Sequence, residues 1–159
     1  VAIMSLRENL TFETTIASDT AALHGLVEAL VTAVPGVRTL RDPTRGGLAT
    51  TLNEIARQSG VGMTLRESAI PVRPEVAAAC EFLGLDPLYV ANEGKLVAIV
   101  ASGDAPAALA ALRGHPLGRE AAIVGEVVAD ANHFVQMETG FGGRRMVDWL
   151  AGEQLPRIC

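Results

Sequence analysis

Hydrophobic residues recur along this chain with two periods. Leu23, Leu26, Val27, Leu30, Val31 and Val34 return every three or four positions. That is the pattern of an amphipathic helix of about four turns, with Ser18 and Asp19 ahead of it as cap residues and Pro35-Gly36 ending it. Val37–Arg41 predicts a short strand, and Leu48, Leu52, Ile55 and Ala56 mark a second helix that stops at Ser59-Gly60. Val61, Met63 and Leu65 alternate with smaller or polar residues, so Val61–Glu67 reads as a half-buried strand. Pro74 opens a third helix with Val76, Ala79, Cys80 and Leu83 facing in, closed by Gly84. Leu96–Ala101 is an unbroken aliphatic run, as expected of a strand covered on both faces. Asp104 and Pro106 begin a fourth helix with Ala108, Leu109 and Leu112 inward. Ala122–Ala129 and His133–Met137 predict two strands around Asp130-Ala131-Asn132, read as a hairpin. Gly140–Gly143 reads as a loop, and a last short helix is expected from about Arg144 to Ala151.

Strands and helices are therefore interleaved, which predicts an α/β (α+β) fold with a mixed sheet layered by helices. Val1–Ala17 has no strong period and reads as a linker or inter-domain segment. With 159 residues, 49% of them hydrophobic, the chain suits one packed domain. Aromatic residues are only 4%, so the core must be aliphatic and a base-stacking surface is not expected. Net charge is −5 and no basic cluster is dense enough for a phosphate backbone, which argues against nucleic acid as a partner. No apolar run approaches bilayer length and Val1–Leu10 lacks the form of a signal peptide, so no membrane is expected and the cytoplasm fits best. Cys80 and Cys159 make neither a disulfide framework nor a metal-ligand spacing, and His24, His115 and His133 share no metal pattern. No metal site is expected. Cys80, on the apolar face of its helix, reads as core.

Three stretches and the tail are candidates for chemistry. Arg41-Asp42-Pro43-Thr44-Arg45-Gly46-Gly47 lies between a strand and a helix. Paired glycines permit a close backbone approach, the helix start offers N–H groups to an anion, and Arg45 adds a bidentate donor. The same residues also make a plain tight turn. In Asn92-Glu93-Gly94-Lys95, just before the aliphatic strand, Glu93 could be held partly desolvated as a general base, or be a solvated turn residue. Thr139-Gly140-Phe141-Gly142-Gly143-Arg144-Arg145 is a glycine-rich loop whose arginines read as ordinary surface residues. Beyond Gly152 the tail ends Leu155-Pro156-Arg157-Ile158-Cys159. Pro156 excludes a helix there. Glu153 to Cys159 reaches roughly 25 Å when stretched, so the thiol is expected on a mobile arm (152–159), unless the cysteine is incidental.

The Arg41–Leu48 motif, Leu85-Asp86-Pro87-Leu88-Tyr89-Val90-Ala91-Asn92-Glu93-Gly94-Lys95 and the terminal Leu155–Cys159 together resemble the C-terminal half of the HypE family. These are the carbamoyl dehydratases of nickel–iron hydrogenase maturation. The resemblance covers essentially the whole chain, and its broader relatives are aminoimidazole ribonucleotide synthetase and selenophosphate synthetase. It implies a C-terminal α/β domain over 1–151, partly ferredoxin-like, followed by the tail, with the family's N-terminal ATP-binding domain outside this chain. It also implies ATP with Mg²⁺, bound mainly by that other domain, none being expected for the isolated domain, which would be inactive alone. The implied reaction converts an S-carbamoyl group on Cys159 to a thiocyanate, the source of cyanide ligands. A HypF-type carbamoyltransferase would load the thiol, a HypC–HypD complex would receive the product, and the full-length protein would be a homodimer. By position, Glu93 would be the base, while Arg45, Gly46, Gly47 and Asn92 would face substrate or phosphate. Pro156, Arg157 and Ile158 would carry the thiol. Another ATP-dependent enzyme of the superfamily, or a non-catalytic binding module, are the alternatives.

Overall fold

The computed structural model describes residues 18–150. Within them α1 (His24–Ala33), β1 (Thr39–Arg41), α2 (Gly47–Ser59), β2 (Gly62–Arg66), α3 (Pro74–Leu83), β3 (Val97–Ile99), α4 (Ala105–Gly114), β4 (Gly125–Val128), β5 (Val135–Glu138) and β6 (Arg144–Met146) follow one another. The interleaved α/β order is the one the sequence predicts. Short 3₁₀ turns fill several connections, among them Glu67–Ala69 and Pro87–Tyr89.

The strands form a four-stranded sheet in the order β4-β2-β5-β6 and a separate ribbon of β1 and β3. β2 runs antiparallel to β4 and parallel to β5, with Met63 opposite both Val127 and Val135. In the ribbon Leu40 lies opposite Ala98. The main core packs Leu52, Ile55 and Ala56 of α2 on Met63, Leu65, Val135 and Met137 of the sheet, with Leu88 and Val147. A second core packs Leu30 and Val34 of the first helical stretch on Ala108 of α4 and on Val37, Leu40, Ala98 and Val100. Strand alternation joins the two, since Val97 and Ile99 face the main core while Ala98 faces the second.

The aliphatic run at Leu96–Ala101 thus has a core against each face, as its composition implies. Its strand stays half-buried, however, because the ribbon has only two strands among the described residues. Packing outweighs capping in α1. Leu23 at its N-cap makes no side-chain cap bond, a loss of about 1 kcal/mol, whereas burying each of Leu26 and Leu30 contributes about 1.5–3 kcal/mol.

Three expectations are corrected. Ser18 and Asp19 do not cap α1, which starts at His24; Asp19 instead turns its carboxylate to the Glu93–Lys95 loop. Ala122–Ala129 and His133–Met137 do not form a hairpin, because β2 is inserted between their strands. Asp130 accepts the N–H groups of Asn132 (2.9 Å) and Phe134 (3.2 Å), and His133 takes a φ of 58°, so the chain passes beneath β2 rather than turning back on β4. The last helix is absent over the described residues. Arg144–Met146 is a strand on the open edge of β5, reached through a tight turn in which Thr139 and Gly143 exchange hydrogen bonds. Ladder bonds along that edge satisfy backbone groups that an exposed helix would have left β5 without.

Cys80 is buried, and burial pushes its thiol above the ordinary thiol range, with the charge of Asp86 acting in the same direction. A raised folded-state value favours the neutral thiol. The stability this contributes is complete below the ordinary thiol range and is lost as pH rises through the raised value. Thermal melts of Cys80→Ala should therefore show a shallower alkaline decline in Tm than the parent; identical slopes would uncouple this thiol from folding. Native alkylation followed by mass spectrometry should leave Cys80 unmodified until denaturant is added.

Candidate functional site

The irregular loop from Leu85 to Lys95 meets every other motif singled out in the described part of the chain. It starts at Asp86, whose Oδ1 accepts the Leu88 N–H (2.9 Å) and caps the Pro87–Tyr89 turn. Its Oδ2 accepts from the Arg145 guanidinium at 2.7 Å. Leu88 is buried in the main core and anchors the middle of the loop. Further on, the Asn92 N–H donates to the Pro43 carbonyl (3.0 Å), and its side-chain amide donates to the Val90 carbonyl (2.8 Å). The Asn92 side-chain oxygen accepts from Lys95 Nζ at 2.9 Å. Asn92 thus ties the loop to the Arg41–Gly47 turn while holding its own bend.

Gly46 and Gly47 take left-handed φ values of 68° and 60° at the start of α2, where glycine carries no steric cost. A Cβ on Gly47 would stand 2.5 Å from the Leu88 carbonyl oxygen and 2.6 Å from that of Val90. This close approach accounts for Gly47, since no other residue lets the two backbones meet. Gly46 lies over Thr50, whose hydroxyl has no hydrogen-bond partner among the described residues. Arg45 occupies the exposed first position of the turn. On the far side of the turn Arg41 pairs with Glu54 at 2.7 Å.

Asp19 closes the other end of the loop. Its Oδ2 accepts from the Glu93 N–H (3.2 Å) and lies 3.5 Å from Lys95 Nζ. Gly94 sits directly beneath the Asp19 backbone, which a Cβ there would overlap. The structure therefore brings the turn of Gly46 and Gly47, both buried, against the loop of Asn92 and Glu93, whose Glu93 side chain is exposed. Cys159, Pro156, Arg157 and Ile158 lie outside the described residues. Sequence reading missed Asp19, assigned to a cap, and Asp86 and Arg145, whose pairing joins positions 59 apart. Only the Asp86-Pro87 step, a typical turn opener, hints at the first of these.

Among the described residues no group of three or more His, Cys, Asp and Glu could hold a metal ion. The cavity beside the Asp86–Arg145 pair, lined also by Glu67, Ile70 and Met137, is about 90 Å³. Typical ligand pockets measure about 300–1,000 Å³, so this one does not enclose a nucleotide. No helix of the described residues is long and apolar enough to cross a membrane.

Known proteins resemble this chain in sequence and in fold. Residues 1–138 match the C-terminal domain of AIR synthase related proteins. Carbamoyl dehydratase HypE of Cupriavidus necator is 73% identical over 159 residues, which are 100% of this chain and 45% of that protein. A HypE crystal structure in complex with ATP superposes with a TM-score of 0.91 at 51% identity, covering 99% of this chain and 48% of that one. The HypE chain of a HypE–HypF complex does so with a TM-score of 0.88 at 45% identity, covering 93% and 48%. The chain thus spans about half the length of the curated relatives it matches.

Two glycines test the close approach. Gly47→Ala meets left-handed strain, about 1–3 kcal/mol, and also two backbone carbonyls. Gly84→Ala meets the strain alone, because nothing lies within 4 Å of an added Cβ. Urea unfolding should show Gly47→Ala losing at least about 2 kcal/mol more than Gly84→Ala; equal losses would show that the two backbones can part without cost.

Proposed function

The chain belongs to the AIR synthase related proteins, as a member of their C-terminal domain family, and from that premise we propose that it is the thiol-bearing half of a carbamoyl dehydratase. The observation that carries this reading is the meeting of three segments along Leu88–Gly94: the Pro43–Gly47 turn, the loop itself and the Asp19 chain, with the Glu93 side chain exposed beside them. The names of the relatives support the reaction class.

In this reading the Cys159 thiol receives a carbamoyl group from a HypF-type carbamoyltransferase, in keeping with the solved complex of a relative with HypF. An amide oxygen leaves poorly until ATP phosphorylates it. Forming the nitrile then removes both amide protons, which requires a base beside the reacting carbon. Glu93 is that base, Asn92 fixes the bend that presents it, and the Arg45–Gly47 turn faces the phosphate or the bound tail. Pro156, Arg157 and Ile158 carry the thiol to the site, and the thiocyanate's C≡N group passes as cyanide to iron on a HypC–HypD acceptor, which supplies the two electrons that release Cys159 as its thiolate. The exposure of Glu93 here is matched to a site completed by the rest of the full-length protein, which also holds most of the ATP and its Mg²⁺ and forms the homodimer. The alternative of a non-catalytic module has no observation in its favour.

Two measurements test this. Calorimetry on these 159 residues should find weak ATP binding or none; micromolar affinity, about −8 kcal/mol, would place the nucleotide site in this half. In the full-length protein Glu93→Gln should leave Cys159 carbamoylation intact but slow its loss of water by about 10²–10⁴, so that intact-mass spectra show the carbamoylated form accumulating. Dehydration at the parent rate would make Glu93 a turn residue only. Failure of carbamoylation itself would assign Glu93 to folding or tail docking.

A further inference from the structure

The stretch Arg145–Asp148, which leads into the residues carrying Cys159, is held by more polar contacts than its short strand needs. Arg145 pairs with Asp86 at 2.7 Å. The Val147 N–H donates to the Val135 carbonyl (2.9 Å), extending the β5 ladder past the end of β6. The Val147 carbonyl accepts from the side-chain amide of Asn53 at 2.8 Å, and the same amide donates to the Ala49 carbonyl at 2.9 Å. Tyr89 packs against the main core that also holds Val147.

Asn53 is the informative member. It is 7% exposed, on a helix face otherwise made of Ala49, Leu52, Ile55 and Ala56. A leucine there would serve the core at least as well. What it could not do is satisfy the Val147 carbonyl, and an unpaired buried carbonyl is costly. The amide therefore specifies where this backbone sits, not merely that it is buried. Asp86 is likewise used twice, as the cap of the Pro87–Tyr89 turn and as the partner of Arg145.

The side-chain partners come from two elements. Asn53 lies on α2, two turns after the Gly46-Gly47 start, and Asp86 lies on the loop that continues to Asn92 and Glu93. We propose that Asn53, Asp86 and Arg145 are positioning residues, a clamp that fixes the root of the Cys159 segment to the loop carrying Glu93. The proposal rests on the dehydratase reading above. Residues 149–159 span at most about 36–40 Å when fully stretched, so the position of the root sets how often the thiol meets the loop. A tethered reactant has an effective concentration fixed by tether length and anchor position. Loosening the anchor lowers that concentration and the fraction of productive encounters, without touching the reacting groups.

The test uses the full-length protein with Asp86→Asn, which keeps an oxygen to cap the turn but drops the charge, and Arg145→Gln beside Arg145→Lys. Each is measured twice. In cis, single-turnover conversion of the protein's own carbamoylated Cys159 to thiocyanate is followed by mass. In trans, the same variants carrying Cys159→Ala are given an S-carbamoyl peptide of sequence Leu-Pro-Arg-Ile-Cys at saturation. The clamp predicts a fall of about tenfold in cis, with kcat in trans within about twofold of the parent and partial recovery in Arg145→Lys. An unchanged cis rate overturns it, and so does an equal fall in cis and trans, which would mean general damage to the fold or site. If the parent itself never dehydrates its tail while remaining folded, the dehydratase reading fails and the clamp with it; an active parent beside unaffected variants removes the clamp alone.

Discussion

The contact on which the site depends is the approach of Gly47 to the carbonyls of Leu88 and Val90. It is a meeting of two backbones with no side chain between them, and it can occur only at a residue without Cβ in the left-handed region. From it follow the bond from the Asn92 N–H to Pro43, the entry of Leu88 into the main core and the direction in which Glu93 leaves the loop. A loop with no regular ladder of its own is located by α2, the best-buried helix in the structure. The glycine pair, which the sequence offers equally as an anion cradle and as a turn, has a structural reason to be there before any ligand is considered.

The ion pairs around this loop are not what holds it. Asp19–Lys95, Arg41–Glu54 and Asp86–Arg145 all have side chains about a third to a half exposed, and such pairs are worth about 0–1 kcal/mol each. Buried apolar contacts at Leu88 and Val147 and the backbone bonds at Asn92 and Val147 carry more. The charges instead select which of several nearby packings is adopted, because each joins segments distant in sequence. Breaking one is expected to shift geometry more than stability, and a site whose chemistry needs a tethered group is sensitive to that difference.

Tyr89 shows how closely these groups are coupled. Burial pushes its phenol above the ordinary range, Asp86 adds to the shift, and Arg145 and the Asp148 N–H oppose it. Its hydroxyl therefore stays neutral through the pH range in which carboxylates and guanidinium groups are charged. It adds no third charge to the Asp86–Arg145 pair.

Much of this molecule is legible in local sequence. Period and punctuation place α2 between Gly46 and Gly60, open α3 at Pro74 and close it at Gly84, put Cys80 in the core and mark the alternation of β2, because each depends on residues within a turn or two of one another. The same local signals bring Arg45–Gly47 and Asn92–Gly94 to notice as separate motifs. Tertiary structure alone decided that the Pro43–Gly47 turn meets the Leu88–Asn92 stretch, that Asp19 reaches Glu93 instead of capping α1, that β2 divides the expected hairpin, and that Arg144–Met146 joins an open sheet edge instead of continuing as a helix. The physical reason is common to all four. Which backbone group or carboxylate finds which partner is settled by competition among segments tens of residues apart, and the energy of each contact depends on its partner being there, so no window of sequence short enough to show a period contains the answer.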